Sequence, residues 1–158
     1  MTTNLITATG IKRLEDEYNY LRYVERPKVV QGVSDAAAEG DRSENAEYIY
    51  GKKRLREIDR KLKHLGSRLK VLKIASPPLN PRVVSFGCWV CYEDEDCNTF
   101  CYQLVGPDEF DVKAGKISID SPVGQALLNK QLDDEAIIRR PNGDLSVYIT
   151  DISQTRPQ

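Results

Sequence analysis

The sequence predicts an α+β protein. It has an N-terminal antiparallel coiled-coil hairpin over residues 1–75, a linker at 76–81, and a small antiparallel sheet crossed by one helix over 82–158. Three observations lead there. Tyr48, Gly51, Leu55, Ile58, Leu62, Leu65, Leu69 and Leu72 recur at alternating three- and four-residue steps, an a/d seam sustained over more than three heptads. SPPLNP at 76–81 then stops any helix. Beyond it the apolar period moves towards two, as half-buried strands require.

In the first arm, Thr7 or Thr9 can cap a helix that begins near Gly10, with Ile11, Leu14, Tyr18 and Leu21 as its apolar stripe. Pro27 predicts a kink or stutter, after which the stripe resumes with Val30, Val33, Ala37 and Gly40. A short Gly-containing turn joins the arms. Each arm of roughly 30 residues would be about 45 Å long at ~1.5 Å per residue. In the second domain, strands are expected at 83–92, 100–105, 116–119, 135–139 and 145–152, with Asn142-Gly143 as the turn between the last two. Ser121-Pro122 reads as an N-cap followed by proline at the first helical position, opening a helix through about Lys130. Phe86, Trp89, Tyr92, Phe100 and Tyr102 should pack around the first sheet hairpin.

Charge is unevenly distributed. The formal total is −1 over 158 residues, but residues 1–50 carry −3, residues 51–80 carry +8 and residues 81–158 carry −6. A basic block between two acidic ones suggests one local polyanion contact. The first residues, MTTNLITATG, have neither a basic n-region nor an apolar h-region, and no stretch approaches the ~20 apolar residues of a membrane span. The chain is therefore expected in the cytoplasm, away from membranes, with its four cysteines reduced. Cys88, Cys91, Cys97 and Cys101 have a zinc-like spacing. Cys88 and Cys91 would face opposite sides of a strand, however, which a zinc knuckle does not allow. Small packed or exposed thiols are expected instead, with Cys91 and Cys101 able to approach across a hairpin. His64, next to Leu65 in the basic helix, is expected at the surface.

The turn region EGDRSENAEY, residues 39–48, gathers Glu39, Asp41, Glu44 and Glu47. Asp41 and Glu44, three residues apart, resemble a capping box and suit the positive end of a helix dipole. Glu39 and Glu47 are not needed for that. Two carboxylates at the end of a narrow rod could also hold a hard cation such as Mg²⁺, in a half-site that another molecule must complete. Ser43 and Asn45 are expected to satisfy backbone groups at the turn. Just behind it, Lys52, Lys53, Arg54, Arg56, Arg60, Lys61 and Lys63 flank the seam. Only Glu57 and Asp59 offer pairing within that segment.

GDRSENAEY followed by YGKKRLREIDRKL resembles the Gre transcript-cleavage factors of bacterial RNA polymerase, and KKRLREIDR is most like the GreB branch. ISIDSP followed by ALL resembles the family's C-terminal domain. The resemblance implies an FKBP-like C-terminal domain that docks at the mouth of the polymerase secondary channel, here through Asp120, Ser121, Pro122 and Val123. It implies that the hairpin enters the channel and that Asp41 and Glu44 bring the second catalytic Mg²⁺, shared with the polymerase. No tightly bound cofactor of the chain's own is expected. Nascent RNA in a backtracked complex would then be cut by the polymerase's own centre, so the chain would be an accessory factor, acting as a monomer, and not an enzyme. Lys52, Lys53, Arg54, Arg56 and Arg60 would contact the extruded RNA 3′ end. A channel-binding inhibitor of the same shape is the alternative, and a prolyl isomerase is a third reading that fold alone does not support. Two departures from the family pattern are visible. Gly124-Gln125 stands where Ala-Arg is usual, and Gly51 on the seam should loosen its helix by ~1 kcal/mol relative to Ala.

Overall fold

The computed structural model describes residues 3–40 and 45–157, and the chain divides into two compact units. Residues 11–71 form one, and residues up to Gly10 together with 72–158 form the other. The expected boundary near residue 75 therefore needs correction at the N-terminus. The first ten residues belong with the sheet, not with the hairpin.

The hairpin's first arm is helical from α1 (Ala8–Tyr20) through a π-helical turn at Leu21–Glu25 into α2 (Arg26–Ala38). The turn follows from Pro27. A proline in a helix has no N–H to donate and its ring crowds the carbonyl four residues back, here Tyr23. The wider turn, in which the Arg26 N–H reaches the Leu21 carbonyl, takes up that strain. It also moves the apolar stripe. Leu21 and Val29 face inward and Ala36 is fully buried, whereas Val30, expected on the seam, is 40% exposed.

The second arm is the single 26-residue helix α3 (Ala46–Val71), with Ile58 and Leu65 buried on the predicted seam. Gly51 faces Val33 of the opposite arm. A Cβ there would sit 2.6 Å from Val33 Cγ2, so the glycine admits a close helix approach. Ion pairs between the arms reinforce the narrow core: Arg26 Nε to Asp59 Oδ1 at 2.7 Å, Lys61 to Glu17 at 2.5 Å, and Arg54 to Glu25.

The other unit is built on a five-stranded sheet of order β5-β4-β3-β7-β6. Its strands are β3 (Trp89–Asp94), β4 (Thr99–Val105), β5 (Lys116–Ser118), β6 (Glu135–Ile138) and β7 (Leu145–Ser153). Helix α4 (Pro122–Leu127) crosses it, and the core gathers Val84, Val90, Leu104, Leu127, Val147 and Ile149. The sheet is mixed and not wholly antiparallel, because β4 and β5 run parallel. A crossover at 106–115 lets the chain re-enter in the same direction. A second, two-stranded sheet pairs β1 (Leu5–Ile6) in parallel with β2 (Lys73–Ile74), and the linker sequence hinted at neither strand.

The N-terminal segment is fastened to this unit by side chains. Glu109, 5% exposed, accepts the Thr7 N–H at 2.8 Å, the Thr7 hydroxyl and the Gly106 N–H at 3.2 Å. Three donors so arranged satisfy a buried carboxylate that would otherwise be costly. The expectation of four reduced cysteines is also corrected. Cys91 and Cys101 stand directly opposite on β3 and β4, with Cα atoms 4.1 Å apart, and are joined as a disulfide. Such narrow cross-strand pairs bring side chains closest. Cys88 is buried and Cys97 exposed. Among the described residues no helix is long and apolar enough to cross a membrane.

Candidate functional site

Three surfaces hold the residues singled out in the sequence. At the end of the hairpin, Asp41 and Glu44 lie outside the described residues. Their neighbours do not. Asn45 caps α3, its Oδ1 accepting the Tyr48 N–H at 3.2 Å, while its Nδ2 donates to the Ala36 carbonyl at 2.9 Å. One side chain thus starts the second helix and closes the end of the first. The capping role weighed for Asp41 and Glu44 is filled by Asn45 at the described helix start. Glu39 and Glu47 are both exposed.

The shaft behind the tip separates into two kinds of cation. Arg54 is engaged: its guanidinium bonds Glu25, with Nε to Oε1 at 2.7 Å, and reaches Glu57 at 3.3 Å. Glu25 raises the Arg54 pKa further, chiefly through that hydrogen bond. Glu25 belongs to the opposite arm and so lies outside the Lys52–Lys63 segment, in which Glu57 and Asp59 are the acids in view. Lys52, Lys53, Arg56 and Arg60 are exposed, and no carboxylate pairs with them among the described residues. His64 is exposed as well.

In the sheet unit, Asp120, Ser121 and Val123 line a largely apolar cavity of about 570 Å³ with Tyr92, Tyr102 and Phe110. Pro122 lies instead on a neighbouring groove with Gln125. The loop is held firmly. Ser121 Oγ donates to the Ser118 carbonyl at 2.6 Å and accepts the Gly124 N–H at 3.1 Å, which makes it the N-cap that its sequence promised. Asp120 accepts the Thr3 hydroxyl at 2.6 Å and the Thr3 N–H at 3.0 Å. Reading residue by residue along 116–125 could not reveal Thr3, which is 117 positions away. Gly124 packs so tightly that a Cβ would lie 2.3 Å from the Ser118 oxygen, so the loop here is closed to any larger residue. Burial pushes the Tyr92 hydroxyl, on the cavity wall, up to about 12.

A basic helical hairpin and a sheet unit with a tightly hydrogen-bonded loop and an apolar cavity are the two parts of a binding protein. Among the described residues no group of three or more His, Cys, Asp or Glu side chains is placed to hold a metal ion. Comparison with known proteins gives the family. Residues 4–74 match the model for "Transcription elongation factor, N-terminal", and residues 79–154 match that for "Transcription elongation factor, GreA/GreB, C-term". The chain belongs to the GreA/GreB family of transcription elongation factors. It is 54% identical over 151 residues to transcription elongation factor GreB of Yersinia pestis, covering 95% of this chain and 88% of that one. It is 51% identical to GreB of Pseudomonas aeruginosa, covering 95% and 90%, and 52% identical to GreB of Haemophilus influenzae, covering 95% and 96%. A solved GreA/GreB structure from Nitrosomonas europaea aligns over 96% of this chain and 99% of its own, at 24% identity and a TM-score of 0.42.

Proposed function

We propose that this elongation factor binds RNA polymerase at its secondary channel and stimulates Mg²⁺-dependent cleavage of nascent RNA in backtracked complexes, so that elongation resumes. The observation that carries this reading is Asn45. Because it already caps α3, the acids of the preceding stretch are not required to start the helix. Hard carboxylate oxygens suit Mg²⁺, and two of them make an incomplete set that a polymerase site would complete. With that ion and the polymerase's own, one metal would activate the attacking water and the other would stabilise the leaving oxygen. Asp41 and Glu44 would hold and orient the delivered ion. Lys52, Lys53, Arg56 and Arg60 would follow the phosphates of the extruded RNA, while Arg54 keeps the arms together. Asp120, Ser121 and Val123, with Pro122 opening α4, would form the docking loop.

The test is the double variant Asp41→Asn, Glu44→Gln, which preserves shape and removes charge. Its melting temperature and its competition for polymerase should match the parent, while RNA shortening in a stalled, backtracked complex should nearly vanish. Full cleavage by this variant would exclude metal delivery. If the parent protein itself binds polymerase yet gives no cleavage, the inhibitory alternative holds.

A further inference from the structure

We infer that a cleft on the hairpin shaft, formed by Arg22, Tyr23, Arg26 and Lys63, is a stacking site for one nucleotide of single-stranded RNA. The inference rests on the RNA-contact reading above and adds a site that reads the bases' faces as well as the phosphates. The cleft measures about 490 Å³ and is lined by Tyr18, Arg22, Tyr23, Arg26, Leu62 and Lys63. Three of the six are cations and none is an acid. Arg26 is paired with Asp59. Arg22 and Lys63 have no carboxylate partner among the described residues.

The Arg22 guanidinium is held in place without being neutralised. It donates to the Tyr18 hydroxyl at 2.9 Å and lies 6.0 Å and 5.5 Å from the Tyr18 and Tyr23 ring centroids. Tyr23 is 65% exposed, and Tyr20 beside it is 54% exposed. Both Arg22 and Tyr23 sit in the π-helical turn ahead of Pro27, where the stripe changes register. An exposed aromatic ring next to a fixed guanidinium, with Leu62 as an apolar floor, presents flat surfaces to a flat ligand. Every base has a π-face, and its phosphate would meet Arg22 and Lys63. An acidic peptide would satisfy the cations yet leave the Tyr23 face unused, so the combination favours a nucleotide. The cleft lies sixteen residues from the end of α2, about 24 Å of helix at ~1.5 Å per residue. It would therefore engage longer extruded RNA.

The experiment measures binding of the full chain to a fluorescent short oligouridylate. Inorganic polyphosphate, which has charge and no bases, is the comparison probe. Tyr23→Ala should weaken oligouridylate binding about 5- to 150-fold, the range for losing one stacked base. It should leave polyphosphate binding and the salt dependence unchanged, and Tyr23→Phe should bind as the parent does. Equal affinity of Tyr23→Ala and parent, an equal loss on both probes, or polyglutamate competition that depends on Tyr23 would overturn the inference. Changing Lys52, Lys53 and Arg56 to Glu keeps the two readings apart. That variant should weaken both probes and flatten the salt dependence. If it weakens binding while Tyr23→Ala does not, the stacking site falls and the basic shaft stands. If neither weakens it, both fall.

Discussion

The hairpin and the sheet unit are stabilised in opposite ways. The hairpin buries little: Leu14, Leu21, Ala36, Ile58 and Leu65 are its buried apolar residues among those described, only Ala36 and Ile58 fully so, and half-exposed ion pairs bridge its arms. Such pairs contribute roughly 0–1 kcal/mol each. The sheet unit has a continuous core, close-packed glycines and a buried, fully bonded carboxylate. The hairpin can therefore present charge and aromatic rings along most of its length at small cost to folding. The sheet unit holds a loop and cavity in one conformation and tolerates change poorly.

Single substitutions should sharpen that contrast. The largest effect is expected for Glu109→Ala. It leaves the Thr7 and Gly106 N–H groups without their acceptor in a buried place, a loss of about 3 kcal/mol on the scale of unsatisfied buried donors. Amide hydrogen exchange should show protection lost in the sheet unit and kept in 46–71. Equal loss in both would mean that the two units are one cooperative structure. Gly51→Ala should cost less. Overpacking against Val33 costs about 1–3 kcal/mol, and replacing a helical glycine returns ~1 kcal/mol, so a net loss near 1 kcal/mol should appear in the hairpin's melting alone. A more stable variant would show that the arms can move apart freely.

At neutral pH the smallest effect is that of Tyr92, which shows only in alkali. Tyr92 ionises in the unfolded chain near 10 but only near 12 when folded, because burial disfavours its anion. Its folded pKa is raised, so its contribution is fully present below about pH 10 and is lost as pH rises towards about 12. Tyr92→Phe should remove that decline from the sheet unit's stability curve. An unchanged curve would assign the decline to other groups.

What the sequence made legible was local. The α3 seam, the four later strands, the Ser121 cap and the backbone role of Asn45 all rest on neighbours within a few residues, and each appears in the structure, whereas the strand expected over 83–92 is found at Trp89–Asp94. The misses come from distance or from an inserted residue. Val30 turned outward because the π-turn before Pro27 adds a residue to the stripe. Glu25 as partner of Arg54, Thr3 as partner of Asp120 and Thr7 as partner of Glu109 all lie far along the chain from the residues they hold. The Cys91–Cys101 bond needed the β3–β4 register, which alternation alone does not set. At the site, the exposed cations of the shaft were legible as a charge block, while the cleft at Arg22 and Tyr23 was not, because helical periodicity hides what a π-turn brings together.

The pairing of Leu5–Ile6 with Lys73–Ile74 bears on how the chain is made. The sheet unit is interrupted in sequence: its first strand leaves the ribosome early, and Thr3 then waits for Asp120, 117 residues later. At roughly 5–20 residues per second that interval is about 6–23 s. The hairpin, complete by residue 71, has all its contacts long before then. Synthesis should therefore yield a folded hairpin with β1 already able to pair with β2, while Thr3 stays without Asp120 and the five-stranded sheet closes last.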